Sequence, residues 1–208
     1  MFEEVMEWKH GREFACVAFQ NRVAHAMNGA TLHSDGEVKV GQQNYAAMLE
    51  CKDVDNIYTK NESKRWLVVD EVFMIPDELL SDYERNYQQA ARQGSSNPFF
   101  QHSTGERRLF GGMNTMMFGD VNQLPPIPSS AALFIPPSGK KRTVGRTEVL
   151  DMFWSDNADS LNFFTELRTQ QRTLDPWYSC FLNECREGAL TDEQYNFLMG
   201  FPLKHSGC

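Results

Sequence analysis

The chain has 208 residues and a mass of 23.9 kDa, with 41% hydrophobic and 23% charged residues. This ordinary globular composition excludes collagen-like, coiled-coil and fully disordered chains. Lys and Arg total 20 against 28 Asp and Glu, a formal charge of −8, so any grip on nucleic acid must come from a local groove or patch.

No apolar run approaches the roughly 18 residues that a membrane span requires. Met1 to His10 carries three Glu and no apolar stretch, unlike a secretory signal. Cys16, Cys51, Cys180, Cys185 and Cys208 are scattered without a C-x-x-C pair. That pattern suits free thiols in a reducing compartment better than a disulfide or zinc framework.

In chain order, residues 2–10 predict a short helix stopped by Gly11. Residues 13–19 (EFACVAF) predict a buried strand, and a short helix around Val23, Ala24 and Met27 ends near Gly29. Residues 35–64 give weak, mixed signals. Residues 66–70 (WLVVD) predict a central parallel strand. Pro76 to Gln93 predicts a helix with Leu79, Leu80, Tyr83, Tyr87, Ala90 and Ala91 on one face, and Gly94 after its end. Residues 94–112 read as a long loop, and 114–119 (NTMMFG) as another strand. Pro125, Pro126, Pro128, Pro136 and Pro137 break regular structure beyond that strand. Residues 161–167 suit a further strand, and the tail is helical. There Trp177, Phe181, Leu182 and Cys185 form a face closed by Gly188, and Thr191 with Gln194 forms a capping box. Alternating strands and helices predict an α/β layered fold with a mostly parallel sheet, whose ligands sit beyond the carboxyl ends of the strands.

Two constellations carry chemistry. In WLVVDE (66–71) two acids follow an aliphatic strand. Asp70 can hold Mg²⁺, a hard cation that takes oxygen ligands, and Glu71 can orient and deprotonate a water; a strand that simply ends at solvent would look similar. In GDVNQLPP (119–126), Gly119 permits close approach, and Asp120 and Gln123 place polar groups at the same sheet edge. The Gln123 amide can donate to a phosphate oxygen and accept from a water. A third feature is the basic run Lys140, Lys141, Arg142 and Arg146, either a nucleic-acid patch or a solvated loop.

RLFGGMNTMMFGDVNQLPPI (108–127) resembles motif III of the PIF (petite integration frequency) and RecD-like DNA helicases of superfamily 1, including Helitron-type relatives. WLVVDE resembles their motif II, VAFQNRVAHAMNGATLHS (17–34) their motif Ia, and ELRTQQRTLDPWYSCFLNECREGALT (166–191) their motif IV. The resemblance implies a RecA-like fold, in which residues 1–150 are part of an ATPase domain and 151–208 lead into a second motor domain. It implies ATP and Mg²⁺ as cofactors and single-stranded or forked DNA as partner, in the nucleus or mitochondrion of a eukaryote or otherwise in the cytoplasm, with no membrane. Asp70 would be the metal ligand and Glu71 the catalytic base. Asp120, Gln123 and Arg172 would face the nucleotide, with Gln123 sensing the γ-phosphate and Arg172 acting as an arginine finger. Thr31 and His33 would lie near the DNA path, joined by Lys140, Lys141 and Arg142.

The sequence departs from the family in three places. No G-x-x-x-x-G-K-[S/T] phosphate loop precedes the motif Ia segment, since residues 1–14 contain none and Ser138–Lys141 is not one. Phe19, Gln20, Asn21 and Arg22 replace a small residue, Thr and Gly. Motifs of a full second motor domain are missing. Charge-assisted hydrogen bonds contribute about 1.5–3 kcal/mol each. Lacking several of them weakens triphosphate binding by roughly 6 kcal/mol, or about 10⁴-fold. The expectation is therefore the central piece of a helicase motor, a fragment, truncated gene model or transposon remnant, inactive by itself. The alternatives are a non-hydrolysing DNA- or protein-binding module, or an unrelated Mg²⁺-dependent phosphohydrolase using Asp70 and Asp120.

Overall fold

The computed structural model describes residues 7–39, 49–93, 108–127, 132–133, 144–155, 160–169, 171 and 173–200. Four strands form one parallel sheet: β1 Phe14–Ala18, β2 Ala30–Thr31, β3 Trp66–Asp70 and β4 Asn114–Met117, in the order β2-β1-β3-β4. The helices are α1 Asn21–Ala26, α2 Leu32–Asp35, α3 Cys51–Asn61, α4 Asp77–Gln93, α5 Val144–Trp154, α6 Pro176–Glu187 and α7 Asp192–Leu198. Strands alternate with helices because each parallel strand needs a crossover to return to the same edge. The α/β parallel fold expected from the sequence is therefore present, and β3 is interior, paired with β1 on one side and β4 on the other.

The chain divides into two compact units, Met1–Asn162 and Phe163–Cys208. Residue 150, where the sequence placed a boundary, lies inside α5, whose Val149 and Met152 are buried. In the first unit the core gathers Val17 of β1, Leu67 and Val69 of β3, Leu80 and Tyr83 of α4, Ile57 of α3 and Val149 of α5. Along β3 the burial alternates: Leu67 and Val69 are fully buried while Trp66, Val68 and Asp70 are half-buried. One face thus supplies the core and the other leaves Asp70 within reach of solvent.

Two expectations need correction. The helix over 2–10 does not reach its described end. Glu7 has φ 55°, and His10 bridges Phe14 in a turn closed by Gly11 N–H donating to Phe14 O at 2.8 Å. Residues 161–167 form no strand, since among the described residues no strand pairs with them; Phe163, Phe164 and Leu167 are more than 80% exposed. The weakly patterned 35–64 stretch contains α3 and the end of α2. The face of α3 rests on only Val54 and Ile57, too narrow a stripe to stand out among charged neighbours.

In the second unit Asp175 caps α6, its carboxylate accepting from Trp177 N (2.9 Å) and Tyr178 N (3.1 Å), with Pro176 as first helical residue. Gly188 closes α6 at φ 69°, and the Thr191–Gln194 capping box opens α7. Trp177 stacks on Phe181, and Phe197 of α7 meets both edge-on at 5.0 and 5.1 Å. Among the described residues no helix is long and apolar enough to cross a membrane.

Candidate functional site

The carboxyl ends of all four strands lie along one edge of the sheet, because every pairing is parallel. The register fixes who stands level with whom: Thr31 beside Ala18, Ala18 beside Asp70, and Val69 beside Met117. Beyond Val69 and Met117 the β3–β4 ladder continues, as Phe118 N–H donates to Val69 O (2.8 Å) and Val72 N–H to Phe118 O (2.9 Å). The segments after β3 and β4, which carry the two sequence constellations, are thus joined by backbone hydrogen bonds.

Asp70 is the last residue of β3 and half-buried. One of its oxygens, Oδ1, accepts from the Glu71 backbone N–H at 2.9 Å. Glu71 itself adopts φ 54°, ψ 40°, a left-handed conformation, and starts the 3-10 turn Val72–Met74. A non-glycine residue there carries strain of about 1–3 kcal/mol. The strained position turns the chain sharply off the strand and leaves both acids at the edge.

Gly119 follows β4, but the close approach it permits is to protein. A Cβ there would lie 2.8 Å from the Phe73 ring, 2.9 Å from Val72 Cγ1 and 3.2 Å from Val72 N. Expected to make room for a ligand, this glycine instead lets the second constellation press against the turn that follows Glu71. Asp120 then organises an Asx turn, its Oδ1 accepting from Asn122 N (3.0 Å) and its carbonyl from Gln123 N (3.1 Å). Gln123 is half-buried at this edge, while Leu124 is 79% and Ile127 96% exposed.

Thr31 reaches the same edge, with its Oγ1 accepting from Ser34 N at 3.2 Å as the N-cap of α2. His33, on that turn, is half-buried beside the Phe19 ring (centroids 6.2 Å apart), and burial holds its imidazole below the usual histidine range. Gln20 was not among the candidate residues. It follows β1 and donates from Nε2 to Met74 Sδ at 3.7 Å, touching the turn after Glu71; its position just past a strand end was the available signal. Arg172, Lys140, Lys141 and Arg142 lie outside the described residues.

The donor set fits a hard divalent cation. Mg²⁺ takes one or two protein carboxylates and completes its shell with water and phosphate oxygens, and Asp70 at the end of β3 offers one such carboxylate. Among the described residues no group of three or more His, Cys, Asp and Glu side chains is placed to enclose a metal by itself. For the phosphates, the 208 residues contain no glycine-rich lysine loop.

A family model described as PIF1-like helicase matches residues 12–176. Among solved structures, Pif1 helicase from Bacteroides in complex with ADP-AlF3 and ssDNA is 22% identical, with a TM-score of 0.59 over 91% of this chain and 40% of that one. A structure of two coordinating Pif1 helicases at forked dsDNA is 21% identical, with a TM-score of 0.62 over 95% and 43%. Pif1 helicase from Candida albicans is 19% identical, with a TM-score of 0.57 over 93% and 38%. No curated protein matches significantly. The fold is therefore RecA-like, and the chain spans about 40% of the length of these solved helicases.

Proposed function

Because this chain belongs to the PIF1-like helicase family, we propose that it is a piece of an ATP-dependent DNA helicase, coupling ATP hydrolysis to movement along single-stranded DNA and to duplex separation. The observation that supports this reading best is the shared carboxyl edge on which Asp70, Glu71 and the Gly119–Gln123 turn are joined by the continued β3–β4 ladder. Asp70 contributes an oxygen to Mg²⁺. Glu71 orients a water and takes its proton. Gln123, on the turn fixed by Asp120, hydrogen-bonds the terminal phosphate, and Arg172 neutralises charge on the transferring phosphoryl group. Bound Mg²⁺ supplies charge neutralisation for the phosphate oxygens. Thr31 and His33, with Lys140, Lys141 and Arg142, line the path of the DNA strand. Met1–Asn162 belongs to the first motor domain, and Phe163–Cys208 leads into the second.

Titration with a fluorescent ATP analogue and Mg²⁺, with and without single-stranded DNA, tests this. The 208-residue chain should bind weakly. Joined to the phosphate-loop segment of a Pif1 helicase it should bind about 10⁴-fold more tightly, and Glu71→Gln should then cut hydrolysis by about 10²–10⁴-fold. Hydrolysis indifferent to Glu71→Gln would reject the assignment. A second reading is a module that binds DNA or protein without hydrolysis. DNA affinity that stays the same whether or not nucleotide occupies the joined chain would support it.

A further inference from the structure

The turn that carries Thr31 and His33 is fastened to α4 by side chains the proposed chemistry does not use. Asp35, the last residue of α2, is 7% exposed. Its Oδ2 accepts from the Tyr83 hydroxyl at 2.7 Å and from the Tyr87 hydroxyl. Its Oδ1 faces the buried Lys64 ammonium at 3.9 Å. One residue further on, Gly36 O accepts from Asn86 Nδ2 at 2.8 Å. A Cβ at Gly36 would lie 2.4 Å from the Tyr83 ring, so the turn rests directly on it. Tyr83, Asn86 and Tyr87 are spaced three and four apart, on one face of α4, and all three are buried.

A buried carboxylate is costly unless every oxygen is satisfied, and apolar packing could join two helices without it. What such a polar lock adds is a preferred arrangement, since a shifted turn would take the buried carboxylate away from both hydroxyls that donate to it. The helix it locks onto begins only six residues after Glu71. One rigid element therefore connects the acid pair to the turn bearing Thr31 and His33.

We propose that Asp35, Tyr83, Asn86 and Tyr87 are positioning residues for single-stranded DNA, holding Thr31 and His33 ready at the edge they share with Asp70. This rests on the reading that the edge receives DNA. A turn already held in place loses less conformational freedom when the strand binds, so the lock acts on affinity through pre-organisation.

The test uses the full chain and a labelled oligothymidine at low salt, followed by fluorescence anisotropy. The double variant Tyr83→Phe/Tyr87→Phe keeps both rings in the core and removes both hydroxyls. It should bind about fivefold more weakly and show faster amide hydrogen exchange over residues 30–38. Phe181→Leu, placed in the other unit, serves as a control for general destabilisation and should leave the affinity unchanged. Asp35→Asn, which keeps the length and an acceptor, should retain more affinity than Asp35→Glu. If the wild-type chain binds no DNA, the functional reading fails and this proposal with it. If the wild type binds and the double variant binds equally well, or its exchange over 30–38 is unaltered, the proposal alone is overturned.

Discussion

Glu71 and Gly119 are the two residues on which the site's local geometry turns. Glu71 holds a left-handed conformation that a glycine would adopt without strain, and the Asp70 carboxylate accepts its N–H. Strain at such a point, beside a second acid, supports the functional reading of this edge. Gly119 lies against Val72 and Phe73 so closely that any side chain must displace them. Gly119→Ala should therefore cost about 1–3 kcal/mol by overpacking, read from urea denaturation; an unchanged midpoint would show that the contact gives way easily. His33 makes a pH prediction. Burial lowers its pKa from the ordinary 6.5, so the folded state favours the neutral ring. Its contribution to stability is fully present above the unfolded value and is lost as pH falls through the lower folded one. Thermal unfolding between pH 8 and pH 5 should show a larger loss for the wild type than for His33→Asn. Parallel profiles would mean that the imidazole titrates alike in both states.

At the scale of elements, Gly188 at the end of α6 and the Thr191–Gln194 box that opens α7 were readable because each uses a short local pattern. The Asp175 cap of α6 is a finding of the structure. Asp175→Ala should lower stability by about 1 kcal/mol, seen as a loss of helical circular dichroism at lower temperature, while Asp175→Asn should lose much less. If the two substitutions cost the same, the carboxylate is not acting as a cap. The strands β1 and β3 were equally legible, as dense apolar runs in a polar sequence, and β4 by its Met116-Met117-Phe118 stretch. The helix α3 was not, because only Val54 and Ile57 are buried and the rest of its surface is polar. The expected strand over 161–167 failed for the opposite reason. Its apolar residues match a strand, but strand formation depends on a neighbour that sequence alone does not supply, and these residues remain exposed.

For the molecule as a whole, the order and direction of the strands do what no single motif can. Residues 18, 31, 70 and 118 are far apart in sequence, and a parallel sheet brings them to one edge. Sequence identified the acid pair and the Gly119–Gln123 turn as candidates but could not show that Gly119 serves the packing of one against the other, because that contact exists only after β3 and β4 pair. The Asp35 lock was likewise invisible, since its partners lie about fifty positions away on α4. With a formal charge of −8, DNA binding by this chain should be weak and should fall steeply between low and physiological salt. An affinity independent of salt would place the contact away from phosphates. The most direct measurement of the central claim is paramagnetic line broadening of backbone amides by Mn²⁺ with ATP, which registers even weak occupancy. The account predicts that Glu71, Gly119, Asp120 and Gln123 broaden together at the lowest concentrations and that Asp70→Asn abolishes the effect. Broadening scattered over surface carboxylates, with those four amides unaffected, would contradict it.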